Sequence, residues 1–334
     1  MHDRFAKHKP CASLTLAAIL LLAAPISVLA EWLTDARPMM GTEVSVYFWH
    51  DDPVIGAEAL EAVFAEAERI NQLMSTYIDD SPISDLNRRA ATESVNAGPE
   101  LFMLVQRSLD VSELTDGAFD ITYESVGQHY DFRERVRPDE DTVAAEKELI
   151  DYRRIELDSQ SGSIRFLQQG VRINLGGIAK GYVVERGVAI LRSHGVTNAI
   201  VTAGGDSRLL GDRRGRPWVI GIRDPREDGK VAMSLPLADE AVSTSGDYER
   251  YFDEDGVRYH HIIAPDTGEP AGKVHSATVF GPDAVITDAL STSVFVMGVD
   301  EGLRMIATLP EYESVVIDSS GQVYYSDGLQ PPAK

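Results

Sequence analysis

The hydrophobic pattern changes period several times along the chain. Thr42 to Phe48 alternates polar and apolar positions through Val44, Val46 and Phe48, the period-2 signature of a half-buried strand. From Ala57 to Met74 the period lengthens. Leu60, Val63, Phe64, Ala67, Ile70 and Met74 fall on one face of an amphipathic helix. Pro99 opens a further helix through Leu104, Val105 and Leu109, and the polar stretch Arg133 to Asp151 reads as a solvated insertion or linker. Short strands are predicted at Ile155 to Leu157 and Ser163 to Phe166, then one at Val171 to Leu175 running into Gly176-Gly177. A helix from Ile178 to His194 stops at Gly195. Strands follow at Ala199 to Thr202, Trp218 to Ile222 and Arg258 to Ile263, helices at Ile286 to Met297 and Glu301 to Leu309, and a closing hairpin around Ser319-Ser320-Gly321. Hairpins mixed with scattered helices indicate an α+β fold rather than a regular βαβ series.

The first thirty residues follow a different grammar. Arg4, Lys7 and Lys9 precede an apolar run from Leu14 to Leu22, and Val28-Leu29-Ala30 supplies a small-residue end, the layout of a secretory signal peptide over residues 1–30. Export places the chain in the periplasm, membrane-associated if the leader is retained. Cys11, the single cysteine, lies before the apolar run, which disfavours lipid anchoring and leaves the chain after Ala30 without a disulfide. The formal net charge of −22 excludes nucleic acid as a general partner. It also means that an anionic ligand needs local help from a cation, backbone amides or a metal.

Two features offer that help. The turn Asn174-Leu175-Gly176-Gly177-Ile178-Ala179-Lys180-Gly181 stands before a helix, where glycines admit a phosphate and Lys180 adds charge; a plain tight turn fits the same residues. Asp288 and Thr292 lie four apart on one helical face as hard oxygen ligands suited to Mg²⁺. A helix cap at Asp288 is the bland alternative. His260 and His261 point opposite ways on a strand, which argues against shared zinc ligation; one is expected to face solvent and the other to be available as a general base. Asp266-Thr267-Gly268 between two prolines is a turn, and Gly205-Asp206-Ser207 lacks the setting of a nucleophile elbow. Tyr77 and Phe119 offer aromatic faces for a flavin or adenine, with Asp120 as a hydrogen-bond acceptor, although buried aromatics are usually core.

Taken in order, these segments resemble the ApbE family of FAD:protein FMN transferases. The resemblance rests on Met40-Gly41-Thr42, Met74 to Tyr77, Asp116 to Asp120, Asn174 to Gly181, Ala203 to Asp206, Ser243 to Gly246, His261 to Gly268 and Asp288 to Thr292. It implies one ApbE-like domain over residues 31–334, with an antiparallel-sheet core, packed helices and a relation to the T-fold. It further implies that Met40, Tyr77, Ala118, Phe119, Asp120, Asn174, Lys180 and Ile263 contact FAD, and that Gly177, Asp288 and Thr292 hold Mg²⁺, Gly177 through its carbonyl. The implied reaction transfers FMN to a threonine of a partner flavoprotein, such as a membrane electron-transport subunit, and releases AMP. Lys180 would stabilise charge and His261 act as base, with Asp247 or a metal-bound water as the alternative. The chain departs from the family in carrying Asn174 and Ala264 where aspartate is common. A Mg²⁺-dependent FAD pyrophosphatase and a non-catalytic flavin carrier are the rival readings.

Overall fold

The computed structural model describes residues 31–227 and 229–329, so the signal peptide expected over residues 1–30 lies outside the described residues. Eight strands build one fully antiparallel sheet. In spatial order they are Glu31–Met39, Thr42–His50, Ala199–Ala203, Asp206–Leu210, Ala241–Gly246, Val274–Gly281, Glu313–Asp318 and Val323–Tyr325. One face carries three helices. Along Thr42–His50 the alternation holds as read: Val44, Val46 and Phe48 are fully buried beneath helix Pro53–Met74. Each such side chain contributes about 1.5–3 kcal/mol of burial free energy. Helix Pro53–Met74 starts where Asp52 accepts the Val54 and Ile55 amides, and it buries the stripe Ala59, Val63, Phe64, Ala67, Ile70 and Met74.

Helix Ala179–Ser193 lies between that helix and helix Ala284–Met297, whose residues are nearly all buried. The close approach of the last two depends on Gly181, where a Cβ would stand 2.0 Å from the Ala284 carbonyl oxygen. On the other face of the sheet, hairpin Trp218–Arg223/Val231–Leu237 covers Val242, Phe280 and Val315.

Several expectations need correction. Val171 to Leu175 forms no strand, because Asn87 takes the place of a neighbouring strand: its Nδ2 donates to the Ile173 carbonyl and its Oδ1 accepts the Ile173 amide. Arg133 to Asp151 is not merely a linker. It contains helix Glu140–Glu146 and buries Val143 and Ile150 with Val126, Tyr130 and Ile263. After Asp120 the chain makes a 3₁₀ turn, Ile121–Tyr123. The mixed α+β class and the antiparallel core are as expected. Among the described residues no helix is long and apolar enough to cross a membrane.

Candidate active site

The glycine turn feeds the amino end of helix Ala179–Ser193, which no side chain of its own caps. Asp288 caps it from the neighbouring helix, its Oδ2 accepting the Gly181 amide at 2.9 Å. The cap of helix Ala284–Met297 itself is Asp283, so Asp288 is free of that local duty. Lys180 Nζ donates to Asp288 Oδ1 at 3.1 Å and to the Gly176 carbonyl at 3.1 Å, and makes an ion contact with Asp206 Oδ2 at 3.0 Å. Both carboxylates are buried, at 1% exposure for Asp206 and 2% for Asp288. Burial works against the ammonium charge, but the two carboxylates outweigh it and hold Lys180 above the ordinary lysine range. Burial, with Asp288 adding to it, pushes Asp206 up to about 7.

Thr292 stands one turn beyond Asp288. Its hydroxyl lies 3.2 Å from Ser245 Oγ, which also meets Ser291 Oγ at 2.9 Å. A Cβ on Gly177 would come within 3.5 Å of Thr292 Oγ1, so the turn and the helix face meet at this point. The Lys180 ammonium already sits as a cation on Asp288 and a turn carbonyl. The surrounding donors are the carboxylates of Asp288 and Asp206, hydroxyls and the Gly176 carbonyl, a hard-oxygen set that suits Mg²⁺. Among the described residues there is no cluster of three or more His, Cys, Asp or Glu side chains that could hold a metal.

The remaining predicted residues divide into those near this cluster and those engaged elsewhere. Asn174 underpins the turn: its Oδ1 accepts the Gly176 amide at 2.8 Å, and its Nδ2 donates to Glu124 at 2.9 Å and Thr76 at 3.2 Å. Burial pushes Glu124 up to about 7, against the Asn174 donation. Phe119 does not offer an open face. It is 3% exposed and packs beneath Gly177, where a Cβ would come 3.0 Å from its Cε2. The Asp120 carboxylate is also spent locally, on the amides of Thr122 and Tyr152 and the Thr122 hydroxyl. Ile263 is core. Tyr77 is 82% exposed, a free aromatic face at the rim. Ala118 opens on a pocket of about 700 Å³ lined by Gly117, Pro265, Pro270, Lys273 and Met297, which does not include the Lys180 cluster.

The two histidines differ in exposure, His260 being buried and His261 only half-buried. His260 is buried, with Nε2 on the Ala271 carbonyl and Nδ1 accepting the Ile262 amide, so it is structural. His261 is half-buried, and its Nδ1 is buried without a partner among the described residues. Burial, reinforced by Arg250, pushes it down to about 3. Asp247 is bound by Arg226 at 2.6 and 2.9 Å and by His275 at 3.1 Å. Burial opposes its ionisation, but the guanidinium prevails and holds the carboxyl low. Met40, in the left-handed region at φ 55°, turns its carbonyl toward Arg250. Asp206, Glu124, Ser245 and Arg250 were not singled out from the sequence. Asp206 and Ser245 stand inside the segments that carry the family resemblance, which is the available signal; Arg250 and Glu124 have none.

The ApbE family model matches residues 40–316. A FAD:protein FMN transferase of Treponema pallidum is 32% identical, with 88% of this chain and 86% of the relative covered. Another, of Vibrio cholerae, is 32% identical over 94% of this chain and 96% of its own length. Among solved structures, an ApbE protein from Thermotoga maritima superposes with a TM-score of 0.82 at 34% identity, covering 89% of this chain and 98% of the other. The flavin transferase ApbE from Vibrio cholerae gives a TM-score of 0.77 at 28% identity, over 89% of this chain and 98% of that one. The chain belongs to the ApbE family and, like the relatives it matches, is a transferase.

Proposed function

We propose that this chain is a Mg²⁺-dependent FAD:protein FMN transferase, acting on a threonine of a flavoprotein after export to the periplasm. The observation that carries the reading is the meeting of Asp288 and Thr292 with the glycine turn, with the Lys180 ammonium already seated on the carboxylate. Asp288, Thr292 and the Gly177 carbonyl would hold the metal, which when bound neutralises pyrophosphate charge and polarises the phosphorus.

The chain's own residues do the rest. Lys180 balances the buried carboxylates, so that the site stays assembled beside the helix amino end. Asn174 holds the Gly176 amide and with it the shape of the turn. Tyr77 gives a ring of the dinucleotide a face to stack on. His261, whose Nδ1 has no partner among the described residues, takes the proton of the acceptor hydroxyl once the anionic substrate offsets the Arg250 charge and raises the imidazole from about 3. The hydroxyl oxygen bonds to the FMN phosphorus, the bond from that phosphorus to the bridging oxygen breaks, and AMP leaves. Asp247 is the poorer base because Arg226 already holds its carboxylate.

The test is to incubate the chain with FAD, Mg²⁺ and a threonine-containing acceptor domain, reading the acceptor by mass spectrometry and the nucleotides by chromatography. Transfer gives a flavinylated acceptor and AMP. Free FMN with AMP and an unmodified acceptor would instead mark a pyrophosphatase, and intact FAD a carrier.

A further inference from the structure

We propose that Arg250 is the guanidinium that binds a phosphate of the substrate; this rests on the FAD-cleaving reading. The reason begins with Lys180, the cation that the sequence offers for that purpose. Its ammonium lies 3.0 Å from Asp206 and 3.1 Å from Asp288, so the trio is net negative when both carboxylates are ionised. A phosphate approaching this cluster alone would meet no surplus positive charge, in a chain that already carries −22.

Arg250 is in the opposite condition. Among the described residues it forms no ion pair, and its recorded hydrogen bonds are two long ones from Nη2, 3.3 Å to the Met40 carbonyl and 3.5 Å to the Gly41 carbonyl. That leaves most of its five donors open. Its seat is built by the backbone. Met40 and Gly41 both occupy the left-handed region, at φ 55° and 69°, and a Cβ on residue 41 would stand 3.0 Å from Nη2. Glycine therefore lets the guanidinium lie against the turn while its other edge stays free.

The second observation is His261. Its amide donates to the Arg250 carbonyl at 3.1 Å, and its buried Nδ1 has no partner among the described residues. An unpartnered buried nitrogen beside an unpaired guanidinium marks a place where a polar ligand completes the hydrogen bonding. Burial and the Arg250 charge both hold that imidazole neutral, and an anion on Arg250 would relieve part of the effect. Guanidinium suits a phosphate because it can offer two parallel donors.

The experiment measures equilibrium binding of FAD, FMN and riboflavin in EDTA by flavin fluorescence, for the wild type, R250K and R250Q. A thermal-shift titration with inorganic pyrophosphate runs alongside. In R250Q, FAD and FMN should weaken about 10- to 100-fold, with riboflavin changed less than about 2-fold and R250K intermediate. The pyrophosphate shift should disappear. Equal weakening of riboflavin would overturn the proposal by showing that Arg250 reads the ring, and unchanged FAD affinity would overturn it outright. If the wild type binds no flavin at all, the FAD reading fails, and the pyrophosphate arm still decides Arg250: a shift kept in R250Q overturns the assignment. Circular dichroism melts of R250Q and R250K report whether the Met40–Gly41 turn survives.

Discussion

The two walls of the site are built on opposite principles. On the helix wall, the half-buried Lys180 ammonium lies against the buried carboxylates of Asp206 and Asp288, and the Gly181 amide donates to Asp288 Oδ2. On the loop wall, among the described residues Arg250 has no carboxylate and His261 Nδ1 no partner, and Tyr77 stands in solvent. The helix wall is shaped for a cation, since its acidic groups converge on an ammonium that a metal can compete with. The loop wall is shaped for an anion and a ring. In a strongly acidic chain, the sign of the charge near a residue says little about what that residue can bind; what matters is whether the charge is already matched.

The comparison can be broken most severely at Lys180. Lys180→Met leaves two buried carboxylates without their ammonium and should cost about 3–5 kcal/mol of stability in urea melts at pH 8. Added Mg²⁺ should restore part of it, and more than it adds to the wild type. No greater response in the variant would mean that the helix wall does not receive a cation.

The packing that brings this wall together is tested at Gly181. Gly181→Ala drives a methyl to within 2.0 Å of the Ala284 carbonyl oxygen and 2.9 Å of Asp288 Cβ, so the helices must separate. The expected loss is about 3 kcal/mol in the urea midpoint, with a matching fall in metal affinity by calorimetry. A fully stable variant would show that the helix contact is looser than described.

A smaller effect concerns the support beneath the turn. Glu124 is raised from 4.5 to about 7, so between those values the folded state holds more protons than the unfolded chain. Its contribution to stability therefore declines as pH rises through that window and levels off above it, by about 3 kcal/mol at most. Glu124→Gln keeps an acceptor for Asn174 and should flatten the slope between pH 5 and pH 8. An unchanged slope assigns it elsewhere, with Asp206, also raised to about 7, as the next group to replace.

The helix wall was partly legible in the sequence, and the loop wall hardly at all. Asp288 and Thr292 could be paired because four-residue spacing on a helix fixes a common face. Asp206 could not be added to them, since it begins a strand and only the fold carries it to residue 288. Arg250 sits in the charged run Asp247-Tyr248-Glu249-Arg250, where nothing local tells a matched charge from an unmatched one. Phe119 and Asp120 were read as open contacts, but burial and local amide bonding consume their side chains. In the fold, long amphipathic helices were plain. Strand Val274–Gly281 carries no period-2 signal because it is buried almost throughout, and Val171 to Leu175 has the pattern of a strand but a side chain in place of a partner strand.

The most direct test of the account compares the wild type with Asp288→Ala in FAD, a Mg²⁺ titration and a threonine-containing acceptor, following acceptor mass and AMP release. The account predicts a Mg²⁺-dependent gain of one FMN on the acceptor with one AMP released, and a loss of about 10³-fold or more in the variant at every Mg²⁺ concentration. Transfer by Asp288→Ala at the wild-type rate, with the same Mg²⁺ dependence, would contradict it.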